Sequence, residues 1–192
     1  MIPLNIPNLV TLSRIILIPL LIGIFYVPDY WLTDEAKNIT ATAIFILAGI
    51  TDWLDGYLAR RLNQMSAFGA FLDPVADKLI VVAALIVLMR FDPPRVHDIV
   101  ALIIIGREVA ISALREWMAK VGQATSVAVA FIGKLKTVSQ MIAIPLLLFH
   151  DRLFGVDCQW WGTILINIAA VLTVASMLYY LRKALPYAAV RA

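Results

Sequence analysis

Asp52, Asp55, Asp73 and Asp77 are the residues whose type and spacing could do chemistry. Positions three, four and seven apart share one face of a helix. Asp52, Asp55, Gly56 and Ala59 therefore line one stripe, with Arg60 beside it, and Gly69, Asp73 and Asp77 line another. The short connection from Arg61 to Phe68 predicts antiparallel neighbours, so that the two acidic stripes face each other across a small gap. Four carboxylates on facing helices suit two hard cations, which take oxygen ligands. Two such cations about 3.5–4 Å apart clamp the attacking and leaving oxygens of a phosphoryl displacement. One carboxylate can remain available to take a proton from an attacking hydroxyl. The chemistry these residues suggest is metal-dependent phosphoryl transfer on a lipid.

A second set of side chains is basic. Arg107, Ile111 and Arg115 fall on one helical face, so two guanidinium groups point the same way. The fork of an arginine matches phosphate oxygens in pairs. Lys134 and Lys136 are two apart and diverge; Lys134 is expected to face the site and Lys136 to reach the headgroups. The alternative for the arginines is a structural network that neutralises the aspartates or Glu108. Near the N-terminus, Asn8 and Thr11 offer hydrogen bonds to a polar headgroup or base; alternatively Asn8 caps a helix and Arg14 snorkels. Gly56 and Gly69 either pack helices closely or let a bulky group approach beside the carboxylates.

The elements that must position these groups are written in the hydropathy. Of 192 residues 62% are hydrophobic, and the mean hydropathy is +0.89. About 20 apolar residues cross a bilayer. Runs of that length are predicted at 8–28, 39–62, 68–89, 97–120, 126–149 and 160–183. They leave no room for a soluble domain, so residues 1–192 are expected to form one all-α integral membrane domain with six transmembrane helices. In such a setting each unpaired carboxylate costs about 2.5–3.5 kcal/mol at mid-membrane. With a rise of about 1.5 Å per residue, Asp52, Asp77 and Lys134 lie ~12–15 Å from one membrane side.

A net charge of +3 with scattered basic residues argues against a nucleic-acid partner, and the single Cys158 excludes an internal disulfide. The first eight residues lack the basic start of a secretory signal. Arg60, Arg61, Lys120, Arg182, Lys183 and Arg191 fall on one side, against Lys37, Arg90, Arg95 and Arg152 on the other. This bias favours cytoplasmic termini. Tyr26, Tyr30, Trp31, Trp160 and Trp161 sit at the far side, as interfacial aromatics do.

The run Asp52-x2-Asp55-Gly56-x2-Ala59-Arg60-x8-Gly69-x3-Asp73-x3-Asp77 resembles the complete signature of the CDP-alcohol phosphotransferases, with no position departing from it. The flanks, Asn8 to Arg14, Arg107-Glu108, Arg115 and Gly133 to Thr137, are similar to the branch whose acceptor is glycerol 3-phosphate. The resemblance implies six transmembrane helices around a polar, cytoplasm-facing cavity, usually as a homodimer. A bacterial cytoplasmic (inner) membrane is the expected location. It implies two Mg²⁺ or Mn²⁺ ions held by Asp52, Asp55, Asp73 and Asp77, with Asp77 as general base. It implies CDP-diacylglycerol as donor near Asn8, Thr11, Gly56, Ala59 and Gly69, and glycerol 3-phosphate held by Arg107, Arg115 and Lys134. Arg60 is expected either near the diphosphate or in an ion pair. Relatives use serine, inositol phosphate or phosphatidylglycerol as acceptor, and a cluster of Arg107, Arg115 and Lys134 favours an acceptor bearing its own phosphate. A divalent-cation carrier using the same aspartates is the competing class, but paired broken helices of an inverted repeat are not evident.

Overall fold

A computed structural model of the chain describes residues 6–61, 66–91, 93–122 and 131–188. Among them are six α helices: α1 Ile6–Gly23, α2 Asp34–Arg61, α3 Ala67–Met89, α4 Asp98–Lys120, α5 Phe131–Phe149 and α6 Cys158–Ala188. A short antiparallel hairpin, β1 Arg152–Leu153 and β2 Val156–Asp157, joins α5 to α6. Its turn places Phe154 and Gly155 at φ 50° and 83°, the left-handed geometry that tight hairpins require. Asp157 then accepts a hydrogen bond from the Trp160 amide at 2.9 Å and caps the start of α6.

The helices follow the predicted apolar runs closely, and Asp52, Asp55, Asp73, Asp77, Arg107 and Lys136 sit inside them, whereas Asp34, Glu35, Asp98 and Lys120 lie in terminal turns. Asn8–Tyr26 and Cys158–Tyr187, with mean hydropathies of 2.2 and 2.0, are long and apolar enough to cross a membrane. The bundle buries polar and charged side chains beside its apolar core and exposes apolar ones. Asn8, Thr11, Arg14, Asp55, Arg107, Lys136 and Gln140 are buried, whereas Ile16, Leu20, Ile50, Ile86, Leu102 and Val171 are exposed. An exposed apolar belt of this extent needs a nonaqueous partner. Tyr26, Tyr30, Trp31, Trp160 and Trp161 are all exposed, as the aromatic pattern requires.

Packing differs from the sequence expectation in one respect that shapes the site. The helices α2 and α3 touch each other only sparsely; α1 packs against both and lies between them. The polar stripe of α1 is thereby driven into the gap between the acidic stripes. Helix α6 packs along α5 and also meets α4. A Cβ added at Gly162 would lie 2.7 Å from the Leu147 side chain and 3.2 Å from its amide nitrogen, so the α5–α6 contact depends on glycine there. An apolar core of Leu21, Phe45, Leu85, Leu88, Ile104, Ile144 and Leu147 fills one half of the bundle.

Candidate active site

Three turns of α1 carry Asn8, Thr11 and Arg14 at intervals of three, which puts them on one side of the helix. Each meets a different part of the acidic pair of helices. Asn8 Oδ1 accepts from Ser66 Oγ at 3.1 Å, and Ser66 in turn caps α3 by accepting from the Gly69 amide at 2.9 Å. Helix α1 already begins at Ile6, so Asn8 is an inter-helix tie and not the expected N-cap. A Cβ at Gly69 would fall 2.5 Å from Asn8 Oδ1. The close approach that Gly69 permits here is therefore to Asn8. Replacing Gly69 with Ala is expected to lower stability by about 1–3 kcal/mol, the usual range for overpacking. Thermal unfolding in detergent checks this, and an unchanged midpoint would mean that Asn8 yields without cost.

One turn on, Thr11 Oγ1 lies 3.0 Å from Asp55 Oδ2 and 2.8 Å from Asp73 Oδ1, sharing its one proton between them. Arg14 completes the arrangement. Its Nη1 donates to Asp52 Oδ1 at 2.8 Å and Asp77 Oδ1 at 2.5 Å, and its Nη2 donates to Asp55 Oδ2 at 2.6 Å. The Arg14 side chain is 0% exposed, so it does not snorkel; it is the buried counter-charge of the cluster. Asp55 is buried with it, while Asp52 and Asp77 keep 44% and 47% of their side chains open.

Those two open carboxylates line a cavity of about 350 Å³ among α2, α3, α4 and α5. Lys78, Glu108, Lys136, Thr137 and Gln140 line the same cavity. Lys78 Nζ donates to Ser112 Oγ at 2.5 Å. Lys136 is buried and pairs with the Glu108 carboxylate, which also stands 3.6 Å from Arg107 Nη1. Lys136 thus points inward, against the expectation that it reaches the headgroups, because Glu108 supplies its counter-charge inside the bundle. The side chains of Lys134, Gly56, Ala59 and Arg60 lie outside the described residues.

Arg107 and Arg115 do share a face, and both guanidinium groups stand 5.9 Å from the ring of Tyr180 on α6. Arg107 is buried and donates to Ser176 Oγ at 3.3 Å; Arg115 is exposed. Neither lines the cavity. Arg107 is tied to it only through Glu108, so the two arginines are not grouped with the aspartates as their spacing suggested. Lys78, Glu108 and Gln140 were not singled out as site residues. Their signals were a charge beside Asp77, an acid beside Arg107, and a glutamine one turn beyond Lys136.

Among the described residues, no group of three or more His, Cys, Asp or Glu stands formed as a metal cage. The donor set nonetheless fits hard divalent cations. It is all carboxylate oxygen, three of its members reach one guanidinium within 2.8 Å, and Thr11 ties in the fourth. Each of Asp52, Asp55 and Asp77 gives Arg14 one oxygen and has another outside that contact.

The half-open carboxylates of Asp52 and Asp77 and the amines of Lys78 and Lys136 line one cavity, which can take up a ligand carrying negative charge. Comparison with known proteins agrees with that reading. The family model for CDP-alcohol phosphatidyltransferase matches residues 4–179, and the chain belongs to that family. It is 47% identical over 180 residues, 94% of each chain, to a CDP-diacylglycerol–glycerol-3-phosphate 3-phosphatidyltransferase of Salmonella choleraesuis (strain SC-B67). Proteins of the same name from Escherichia coli (strain K12) and Shigella boydii serotype 4 (strain Sb227) match at the same identity and coverage. The family is membrane-bound and generally uses divalent metals.

Proposed function

We propose that this chain transfers the phosphatidyl group of CDP-diacylglycerol to glycerol 3-phosphate, giving phosphatidylglycerol phosphate and CMP. The relatives named above, at 47% identity over nearly the whole chain, support the reaction. The observation that carries it is the cavity that Asp52 and Asp77 share with Lys78, Glu108 and Lys136. Asp52, Asp55, Asp73 and Asp77 would hold two Mg²⁺ or Mn²⁺ ions. When bound, they supply positive charge to the donor's diphosphate and to the oxygen that departs with CMP.

The chain's own residues do the rest. Asp77, half open to the cavity, takes the proton of the acceptor hydroxyl, whose oxygen forms the new bond to the lipid-linked phosphorus as the bond to CMP breaks. Lys136 and Lys78 draw in the acceptor's own phosphate, and Arg107, behind Glu108, adds to the positive field. Gln140 Oε1 is buried on the cavity wall without a hydrogen-bond partner among the described residues. It is the acceptor we assign to a substrate hydroxyl. Asn8, Thr11, Gly56, Ala59, Arg60 and Gly69 remain assigned to the donor, and Arg115 and Lys134 to the acceptor's phosphate. A second cavity of about 360 Å³ shares Phe45, Gly49 and Met141 with the first and continues along Ile46, Ile50 and Trp53. This apolar groove is suited to a donor acyl chain. The six helices are read as six spans of a bacterial cytoplasmic membrane, with the cavity opening to the cytoplasm and the chain as a homodimer.

The test is CMP release by purified protein with CDP-diacylglycerol and Mg²⁺, offering glycerol 3-phosphate, serine, inositol phosphate and phosphatidylglycerol separately. Release with glycerol 3-phosphate alone is expected; release only with another acceptor would overturn the acceptor assignment. Replacing Arg107 with Ala is expected to raise the acceptor KM about three- to tenfold, since it acts through its field behind Glu108 and not by touching the substrate. Arg115→Ala, at an exposed position, is expected to raise it less. An unchanged acceptor KM with weakened donor binding would move both arginines to the diphosphate.

A further inference from the structure

Arg14 has no role in the scheme above, yet it is the best-buried charged side chain in the described part of the molecule. Its guanidinium is 0% exposed and touches Asp52, Asp55 and Asp77 at 2.5–2.8 Å. Thr11, one turn away on the same helix, joins Asp55 to Asp73. Arg14 Nε is buried without a hydrogen-bond partner among the described residues. Among the described residues, the hydrogen bonds of Arg14 are thus directed at the acids. A buried guanidinium is costly unless its surroundings hold it there, and here the holding is done by α1, which wedges between the two helices that carry the acids. One guanidinium against four carboxylates also leaves the cluster strongly negative.

We infer that Arg14 is a fixed internal counter-cation that keeps the four carboxylates gathered and sets how tightly they take divalent cations. The inference rests on the divalent-cation reading given above. Two effects follow from its position, and they oppose each other. Without another cation, Arg14 is what stops Asp52, Asp55 and Asp77 from repelling one another. With a divalent ion on the remaining oxygens, the same positive charge stands a few ångströms from that ion in a poorly screened interior and weakens its binding. Arg14 is therefore a positioning residue that trades metal affinity for an ordered metal-free site.

The experiment is Mn²⁺ binding to the full-length protein in detergent, followed by calorimetry and by thermal unfolding with and without Mn²⁺. Arg14→Gln removes the charge and keeps a hydrogen-bond donor; Arg14→Lys keeps the charge on a shorter stem. Arg14→Gln is expected to unfold at lower temperature without metal, to bind Mn²⁺ at least about tenfold more tightly, and to gain more from Mn²⁺ than the parent does. Arg14→Lys is expected to stay within about threefold of the parent affinity, since one charge remains in place. A purely structural role would lower the unfolding temperature equally with and without Mn²⁺. Mn²⁺ affinity in Arg14→Gln that is unchanged or weaker than the parent's overturns the inference. Should that variant unfold without metal, it is prepared in Mn²⁺ and stripped with EGTA. A higher EGTA requirement than the parent's supports the inference, and a lower one overturns it. Failure of the parent protein itself to bind Mn²⁺ would instead sink the metal-site reading on which this rests.

Discussion

Replacing Asp77 with Asn is expected to reduce turnover by about 10²–10⁴-fold, the range associated with a positioned general base, while donor binding stays measurable. The amide has the shape of the carboxylate and can still accept from Arg14 Nη1 through Oδ1, the contact made at 2.5 Å in the native chain. The wedge of α1 between α2 and α3 should therefore survive. What the amide cannot do is take a proton. Asp52 provides the internal comparison, because it also contacts Arg14, also lines the cavity and is open to a similar degree. Asp52→Asn is expected to lose activity mainly through weaker Mg²⁺ binding and to recover partly as Mg²⁺ is raised. Asp77→Asn is expected to stay inactive at saturating Mg²⁺. CMP release measured across a Mg²⁺ series separates the two, and full recovery of Asp77→Asn at high Mg²⁺ would remove Asp77 as the base.

The acidic half of the site was legible because helical spacing is local. Once Asp52 and Asp55, and Asp73 and Asp77, are granted helices, three- and four-residue intervals fix their faces with no knowledge of the fold. The extents of the helices were legible for a related reason, since long apolar runs are interrupted only where polar residues point inward. What was not legible was which helix stands between which. A short connection between α2 and α3 suggests direct neighbours, but the residues that enter the gap come from α1, more than 35 positions earlier for every Arg14 contact. A lone arginine in an apolar helix near a terminus has the same local pattern whether it snorkels or is buried. Only its three-dimensional partners distinguish the two. The same holds for Lys136, whose inward orientation depends on Glu108, 28 residues away.

Replacing Lys136 with Met is expected to lower kcat/KM for glycerol 3-phosphate by about 10²–10³-fold, mostly through KM, with the donor KM altered by less than about threefold. Lys136 is 2% exposed, lines the cavity together with Asp52 and Asp77, and has its ammonium against Glu108. Losing it removes one positive charge from the proposed phosphate position and leaves Glu108 with Arg107 at 3.6 Å as its remaining cation among the described residues. Breaking a buried pair from one side costs about 3–5 kcal/mol, so the single variant is expected to lose stability as well. That loss alone could lower activity, and the double variant Lys136→Met with Glu108→Gln separates the two effects. Removing both charges takes away the carboxylate that lost its lysine but also deprives buried Arg107 of its partner, so stability should recover only in part. Affinity for glycerol 3-phosphate should not return, because the amine that meets its phosphate is still missing. Thermal unfolding and acceptor kinetics on the three proteins provide the check. Acceptor KM restored in the double variant would mean that Lys136 serves only to neutralise Glu108, and the phosphate would then have to be held by Lys78 or by the arginines beside Tyr180.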